Sequence, residues 1–376
     1  MAETPIRLGM VGGGADAFIG AVHRIAARLD GKYVLLAGAL SSTPERARAS
    51  AEALGVPRSY DSFAQMAEAE AARDDGIEAV AIVTPNHVHA DAAIAFLERG
   101  IHVICDKPLT STMEDAERLA DAARRSGALF MLTHNYTGYP MIRQARRMVC
   151  DRQLGDVRLV NVEYAQDWMT GGAEGKQAEW RVDPARSGAG GAIGDIGTHA
   201  YNLACFVSGL TLDRLAADLD AFGAGHTLDE NAHVLLRWQG GAKGMLWCSQ
   251  IAPGNENALR LRIYGDKGGL DWSQEDPNRL WFTPLGEPKR LLTRNGAGAT
   301  EDNIRMSRVP GGHPEGYLEA FANLYTEAAR VIHAHRSGDA MPEDLLFPTL
   351  EDGMDGMRFI DACVRSSRQD SAWVSP

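Results

Sequence analysis

The sequence predicts two folds in succession: an α/β domain, a doubly wound parallel sheet, over residues 1–134, and an α+β domain with an antiparallel sheet over residues 135–376. Three observations predict this. Strand-like and helix-like stretches alternate through the first third of the chain. After residue 134 several strand-like stretches follow one another with partial period-two alternation. Paired glycines, Gly240-Gly241 and Gly268-Gly269, stand between some of them as turn signals.

The alternation opens with the apolar run Ile6–Val11, a strand. Phe18, Val22, Ile25 and Leu29 follow at helical spacing and share one face. Tyr33–Leu40 is nearly continuous apolar sequence, as a strand covered on both faces requires. Pro44 opens a helix that ends near Gly55, and Ser62–Ala72 is another. The strand Ile77–Val83 leads to a helix capped by Asn86 and stopped by Gly100. Ile101–Cys105 is a strand, Thr112–Ser126 a helix and Leu129–Thr133 a strand. Crossover helices between parallel strands give a doubly wound sheet.

In the second part, Val157–Trp168, Arg214–Ala221, Ala232–Trp238, Lys243–Gln250 and Leu259–Tyr264 read as strands. Helices are expected at Ile142–Asp151, Asp195–Val207, Glu315–His335 and Thr349–Ser367. Residues 283–312, rich in Gly, Pro, Thr and Arg, read as one long loop.

Composition narrows the function. The chain has 376 residues, 38 basic against 50 acidic, for a net charge of −12, which argues against nucleic acid or an anionic membrane as the main partner. The 5 cysteines are odd in number and form no C-x-x-C pair, so neither a disulfide framework nor a metal site is expected. No apolar run approaches the ~20 residues of a membrane span, and a soluble cytoplasmic protein is expected.

The first strand runs into Gly12-Gly13-Gly14-Ala15-Asp16-Ala17, matching G-x-G-x-x-A. Glycines at Gly12 and Gly14, with Ala17, let backbone approach a pyrophosphate. The following helix, from Phe18 and Ile19, offers free N–H groups and the positive end of its dipole. Strand, glycine turn and helix in that order point to a dinucleotide. An acid at the end of the second strand would bind the ribose of NAD; Leu40-Ser41-Ser42-Thr43 stands there instead, with Arg46 one helical turn on. No base adjoins Ser41, which favours NAD over NADP and leaves NADP open. At the next strand exit, Thr84-Pro85-Asn86-His87, Asn86 is either a cofactor contact or a simple cap. His87 and His89 are two apart, which disfavours a metal pair.

Two further constellations suggest redox chemistry on an alcohol. Lys107 sits at a strand exit beside Asp106 and before Pro108. Asp195 and His199 are four apart on a glycine-preceded helix and share a face. Oxidising an alcohol needs a base for the hydroxyl proton and a positive partner for the developing oxyanion. His199 suits the first and Lys107 the second. A core histidine and a turn lysine are the plainer alternatives.

In this order and spacing, Cys105-Asp106-Lys107-Pro108 and Gly191-Ala192-Ile193-Gly194-Asp195-Ile196-Gly197-Thr198-His199 resemble the two signatures of the Gfo/Idh/MocA oxidoreductases, with Asp106 replacing the usual Glu. Thr84 to His89, as T-P-N-x-x-H, and the glycine loop extend the resemblance over nearly the whole chain. The resemblance implies a Rossmann domain and an α+β domain on a large open sheet. It also implies Lys107, Asp195 and His199 as catalytic set, with His199 as base and the 107–108 peptide often cis. Thr84, Asn86, His89, Asp106 and Lys107 are implied on the cofactor side.

Trp180-Arg181-Val182-Asp183-Pro184 through the second signature, and the stretch Gly312–Phe321, are similar to inositol and sugar dehydrogenases of that family. Arg181 and His313 are candidates for substrate hydroxyls or for an interface. Tyr136 is a third substrate candidate, and Asp167 and Trp168 are weaker ones. The expected ligands are NAD and a polyol or sugar. The expected assembly is a homotetramer or dimer through the sheet face, where Leu235, Leu236, Trp238, Leu246 and Trp247 serve either an interface or a core. A glycoside hydrolase with a recycled NAD and a non-catalytic nucleotide sensor are the alternative functions.

Overall fold

The computed structural model describes residues 4–172 and 183–376. The chain groups into two compact units, Met1–Asn135 with Leu318–Met354, and Tyr136–Tyr317 with Asp355–Pro376. The single expected boundary at residue 134 therefore misses a return of the chain.

In the first unit six strands, β1 (Ile6–Gly12), β2 (Tyr33–Ala39), β3 (Arg58–Ser59), β4 (Ala79–Val83), β5 (His102–Cys105) and β6 (Phe130–Leu132), form a sheet in the order β3-β2-β1-β4-β5-β6. Every pairing is parallel. The crossovers are helices α1 (Phe18–Leu29), α2 (Pro44–Leu54), α3 (Phe63–Ala71), α4 (His89–Leu97) and α5 (Met113–Ser126). β4 is apolar and buried along its whole length, as helices on both faces demand. Ser62 and Thr112 cap α3 and α5 with their hydroxyl oxygens. Asn86 does not cap α4 as expected. It begins a 3₁₀ turn, Asn86–Val88, and Val88 stands at the N-cap without a side-chain bond.

The later segment belongs to this unit because Tyr325 carries it there. The Tyr33 hydroxyl donates to the Tyr325 carbonyl at 2.9 Å, and the Tyr325 hydroxyl meets Nδ1 of His23 at 2.8 Å. Distant residues supply these partners, so local sequence patterns do not reveal them.

The second unit is built on eight strands: β7 (Val157–Ala165), β8 (Leu212–Asp220), β9 (Asn231–Trp238), β10 (Lys243–Ser249), β11 (Ala258–Gly265), β12 (Gly268–Ser273), β13 (Arg279–Pro284) and β14 (Arg290–Thr293). Their order is β14-β13-β12-β11-β7-β10-β9-β8. Only β7 with β10 is parallel; the other pairings are antiparallel. The remaining described α-helices are α6 (Pro140–Cys150), α7 (Pro184–Ser187), α8 (Thr198–Ser208), α9 (Glu301–Arg305), α10 (Tyr317–Ser337), which from Leu318 on belongs to the first unit, and α11 (Leu350–Arg368).

Several expectations need correction. Residues 283–312 are not one loop: they contain the end of β13, all of β14 and α9. Gly268 and Gly269 lie inside β12, where an added Cβ at Gly269 would sit 2.8 Å from the Tyr264 ring. β7 stops at Ala165, so Asp167 and Trp168 lie beyond the strand. Of the apolar residues expected to serve a core or an interface, Leu236, Trp238 and Leu246 are buried, while Leu235 is 57% exposed. Period-two alternation splits neighbours between the two faces.

Candidate active site

The first unit brings the glycine loop, Thr84 and Lys107 to adjacent strand exits. Gly12 pairs with Val83, and Ile82 with Cys105. Gly12 and Gly13 have φ of 76° and 66°, where side chains are strained. An added Cβ on Gly13 would lie 2.6 Å from Val83 Cγ2, and one on Gly20 would lie 2.4 Å from the Gly13 Cα. Gly20 is thus the close-packing glycine of the loop, three residues beyond Ala17, and sequence spacing missed it. α1 has no acid in its first turn and no side-chain cap at Ala17. Phe18 is exposed, Ile19 is half-buried, and the uncapped amides of this turn fit an anionic pyrophosphate. Arg24 reaches back from α1 to donate to the Gly13 carbonyl, a contact the sequence did not signal.

At the end of β2, Ser41 Oγ accepts from the Thr43 amide at 3.3 Å, so this serine shapes its own turn. Ser42 and Arg46 are exposed. His89 is fully buried, with Nδ1 2.9 Å from the Pro108 carbonyl and Nε2 2.9 Å from the Thr84 carbonyl. The ring thus spans two strand exits, and as a neutral imidazole it donates to one of the two carbonyls. Burial holds this imidazole below its ordinary pKa. Asp106 also holds strand exits together: its Oδ1 accepts from Thr133 Oγ1 at 2.9 Å and from the Lys107 amide at 3.0 Å. The Lys107–Pro108 peptide is cis. Lys107 is half-buried, and its charge adds to burial in pushing His134 down to about 3. Asn86 is buried and Thr84 half-buried.

In the second unit the expected helix at Asp195 is a π turn, Ile193–Gly197, followed by α8. The wider turn shifts Asp195 from the simple four-residue spacing expected against His199. Gln250 Nε2 donates to Asp195 Oδ2 at 2.9 Å. His199 is 8% exposed; its ring meets Tyr136 edge-on at 4.9 Å and lies 6.3 Å from Tyr164. The Tyr136 and Tyr164 hydroxyls share a 2.5 Å hydrogen bond, and Tyr164 donates to Asn257 Oδ1 at 2.8 Å. Burial raises both phenols, keeping them neutral donors.

Tyr136 lies against His199, while Tyr164 on β7, Gln250 just past β10 and Asn257 just before β11 were missed because no motif marks them. Trp168 Nε1 donates to Gln166 Oε1 at 3.0 Å, and Asp167 Oδ2 accepts from the Gly254 amide at 3.1 Å. His313 is exposed, its carbonyl held by Arg294 at 2.5 Å. Arg181 lies outside the described residues. Among the described residues no group of three His, Cys, Asp or Glu could hold a metal ion, and no helix is long and apolar enough to cross a membrane.

Residues 6–134 match the model of the oxidoreductase family with an NAD-binding Rossmann fold, and residues 142–271 match the GFO/IDH/MocA C-terminal domain. A solved oxidoreductase from Sinorhizobium meliloti is 62% identical, with a TM-score of 0.91, covering 99% of this chain and 100% of the other. An inositol dehydrogenase homolog from Azotobacter vinelandii, solved with NADH and myo-inositol, is 36% identical, with a TM-score of 0.94 and coverage of 99% and 98%. Levoglucosan dehydrogenase of Pseudarthrobacter phenanthrenivorans is 26% identical, over 98% of this chain and 97% of that protein. With both domain models matched in order along it, the chain belongs to the Gfo/Idh/MocA oxidoreductases and is an NAD-binding enzyme of that family.

Proposed function

We propose that this enzyme oxidises a ring hydroxyl of a cyclic polyol or pyranose to a ketone, with NAD as the preferred oxidant and NADP as the lesser one. The observation that carries this reading is the polar wall around His199. Tyr136, Tyr164 and Asn257 are joined to His199 by ring contacts and hydrogen bonds, and Gln250 holds Asp195, whose charge is felt by both phenols. A substrate with several hydroxyls needs several fixed donors and acceptors, since each buried hydroxyl left unsatisfied costs about 1–3 kcal/mol. The myo-inositol and NADH bound by the Azotobacter homolog support the same reading.

When bound, NAD would supply the acceptor for a hydride from the carbinol carbon. Gly12, Gly13, Gly14 and the first amides of α1 are assigned to its pyrophosphate, and Ser41, Ser42 and Arg46 to the ribose region. Thr84 and Asn86 complete the cofactor side, and Asp106 holds the Lys107 turn. Lys107 steadies the negative charge that grows on the reacting oxygen. His199 takes the hydroxyl proton, while Asp195 holds a neighbouring hydroxyl. Arg181 and His313 are assigned to outer hydroxyls. A cytoplasmic homotetramer is proposed, supported by apolar side chains exposed on the eight-stranded sheet, among them Leu159, Leu235, Met245 and Trp281.

The test is a panel of inositols and aldoses with each cofactor, read as absorbance of the reduced nicotinamide. Accumulation with a free polyol or sugar is expected. Glycoside cleavage without accumulation would instead indicate a hydrolase that recycles its cofactor. No reduction across the panel would overturn the proposal.

A further inference from the structure

Three consecutive amides at the start of the π turn all donate to one residue. Gly191 N–H meets Asp229 Oδ1 at 2.6 Å, Ala192 N–H meets the Asp229 carbonyl at 2.7 Å, and Ile193 N–H meets Asp229 Oδ2 at 2.7 Å. Asp229 stands between β8 and β9, far away in sequence, and is 8% exposed. The first amides of a helix have no partners within it. Here a carboxylate from another segment supplies them, at the end of the helix where negative charge is favoured.

The contact is close on both sides. An added Cβ at Gly191 would lie 2.1 Å from the Asp229 carbonyl oxygen. The next residue closes the loop: Gln250 N–H donates to the Glu230 carbonyl at 2.8 Å, and Gln250 Nε2 reaches Asp195 at 2.9 Å. Asp229, Asp195 and Gln250 line one small cleft.

We infer that Asp229 is the positioning residue of the catalytic turn: by gripping Gly191 and Ile193 it holds the π geometry and thereby the relative placement of Asp195 and His199. This rests on the function proposed above. A π turn is a rare form in helices and tends to occur at functional positions, so an external grip on its first amides is the device that keeps it from relaxing. Burial raises the Asp229 carboxyl to about 6, and the two amide hydrogen bonds oppose that rise. The grip is therefore ionised at neutral pH. The titratable groups facing it are Glu230, Asp195 and the buried thiols of Cys248 and Cys363.

Asp229→Asn removes the charge and turns a carboxamide NH2, a donor, toward one of the two backbone N–H donors. Its kcat on the best polyol is expected to fall roughly 10- to 100-fold, since displacements near 1 Å cost about that much. KM for the polyol should change less than kcat, and NAD affinity should stay within about twofold. The His199 ring resonances, identified by their loss in His199→Gln, should shift in Asp229→Asn and not in Asp213→Asn, which alters an exposed acid. Gly191→Ala, which pushes the same contact from the other side with the carboxylate intact, should reproduce both effects.

A kcat within threefold of wild type with unmoved His199 resonances would overturn the assignment. If the wild type reduces NAD with no polyol or sugar, the proposed function fails, and the resonances alone judge Asp229. If neither variant folds, the wild type decides. The amide signals of Gly191 and Ile193 must then move together with the His199 ring as the Asp229 carboxyl takes up its proton, and independent movement would overturn the assignment.

Discussion

Replacing His102 by Asn should remove a specific part of the acid sensitivity of the first unit. His102 lies on β5, 6% exposed. Its Nδ1 accepts from the Leu129 amide at 3.0 Å, a bond that a doubly protonated ring could not make. Its ring meets His335 edge-on at 5.0 Å. Burial first, and then His335, lower its pKa from 6.5 to about 4. The folded ring therefore stays neutral at a pH where an unfolded chain protonates it. This stability is fully present above 6.5 and is lost as pH falls toward 4. At 1.36 kcal/mol per pH unit the whole effect is about 3 kcal/mol, of which about 2 kcal/mol is lost between pH 7.5 and 5.

The Oδ1 of Asn takes the place of Nδ1, keeps the Leu129 bond and does not titrate. Loss of the ring packing lowers stability by a constant amount, but the pH-dependent part disappears. Hydrogen exchange of peptides covering β5 and β6 reports on this unit. Relative to wild type, protection in the variant should improve by about 30-fold on going from pH 7.5 to 5, the equivalent of about 2 kcal/mol. An identical wild-type-to-variant ratio at both pH values would refute the neutral buried ring.

The remaining predictions concern the loop, the base and the core. Gly12→Ala, at a φ of 76° with its Cβ 2.7 Å from the Val83 carbonyl oxygen, should weaken NAD binding at least about tenfold by calorimetry and cost about 1–3 kcal/mol of stability. His199→Gln should lower kcat by about 10²- to 10⁴-fold while leaving the NAD dissociation constant nearly unchanged, measured by steady-state kinetics and fluorescence titration; unchanged turnover would remove His199 from the proton step. Phe359→Ala, which empties a fully buried position stacked 4.1 Å from the Tyr201 ring, should destabilise the second unit by about 3–5 kcal/mol in denaturant titration followed by hydrogen exchange.

Much of the first unit was legible because its signals are local. A glycine loop between strand and helix, capping Ser62 and Thr112, and wholly apolar β4 each depend on neighbours along the chain. The second unit was less so. β12 to β14 are short and bear glycines and charges that mimic loop sequence, and they are strands because their ladder partners exist, as in Asp271 opposite Trp281. His89 illustrates the same limit within the site. Its sequence context points to a ligand contact, yet both of its nitrogens meet backbone carbonyls.

The sequence by itself determined the order of elements, the dinucleotide loop and the chemistry available at Lys107, Asp195 and His199. Those follow from residue type and short-range spacing, which fix local backbone freedom and ionisable groups. Only the tertiary structure decided that Gly20 packs on the loop, that Asp106 and His89 clamp strand exits, and that Asp195 rides on a π turn gripped by Asp229. Each of these depends on a buried polar group finding its partner from a remote segment. Burial makes such partners obligatory, but it does not reveal from sequence alone which residue will supply them.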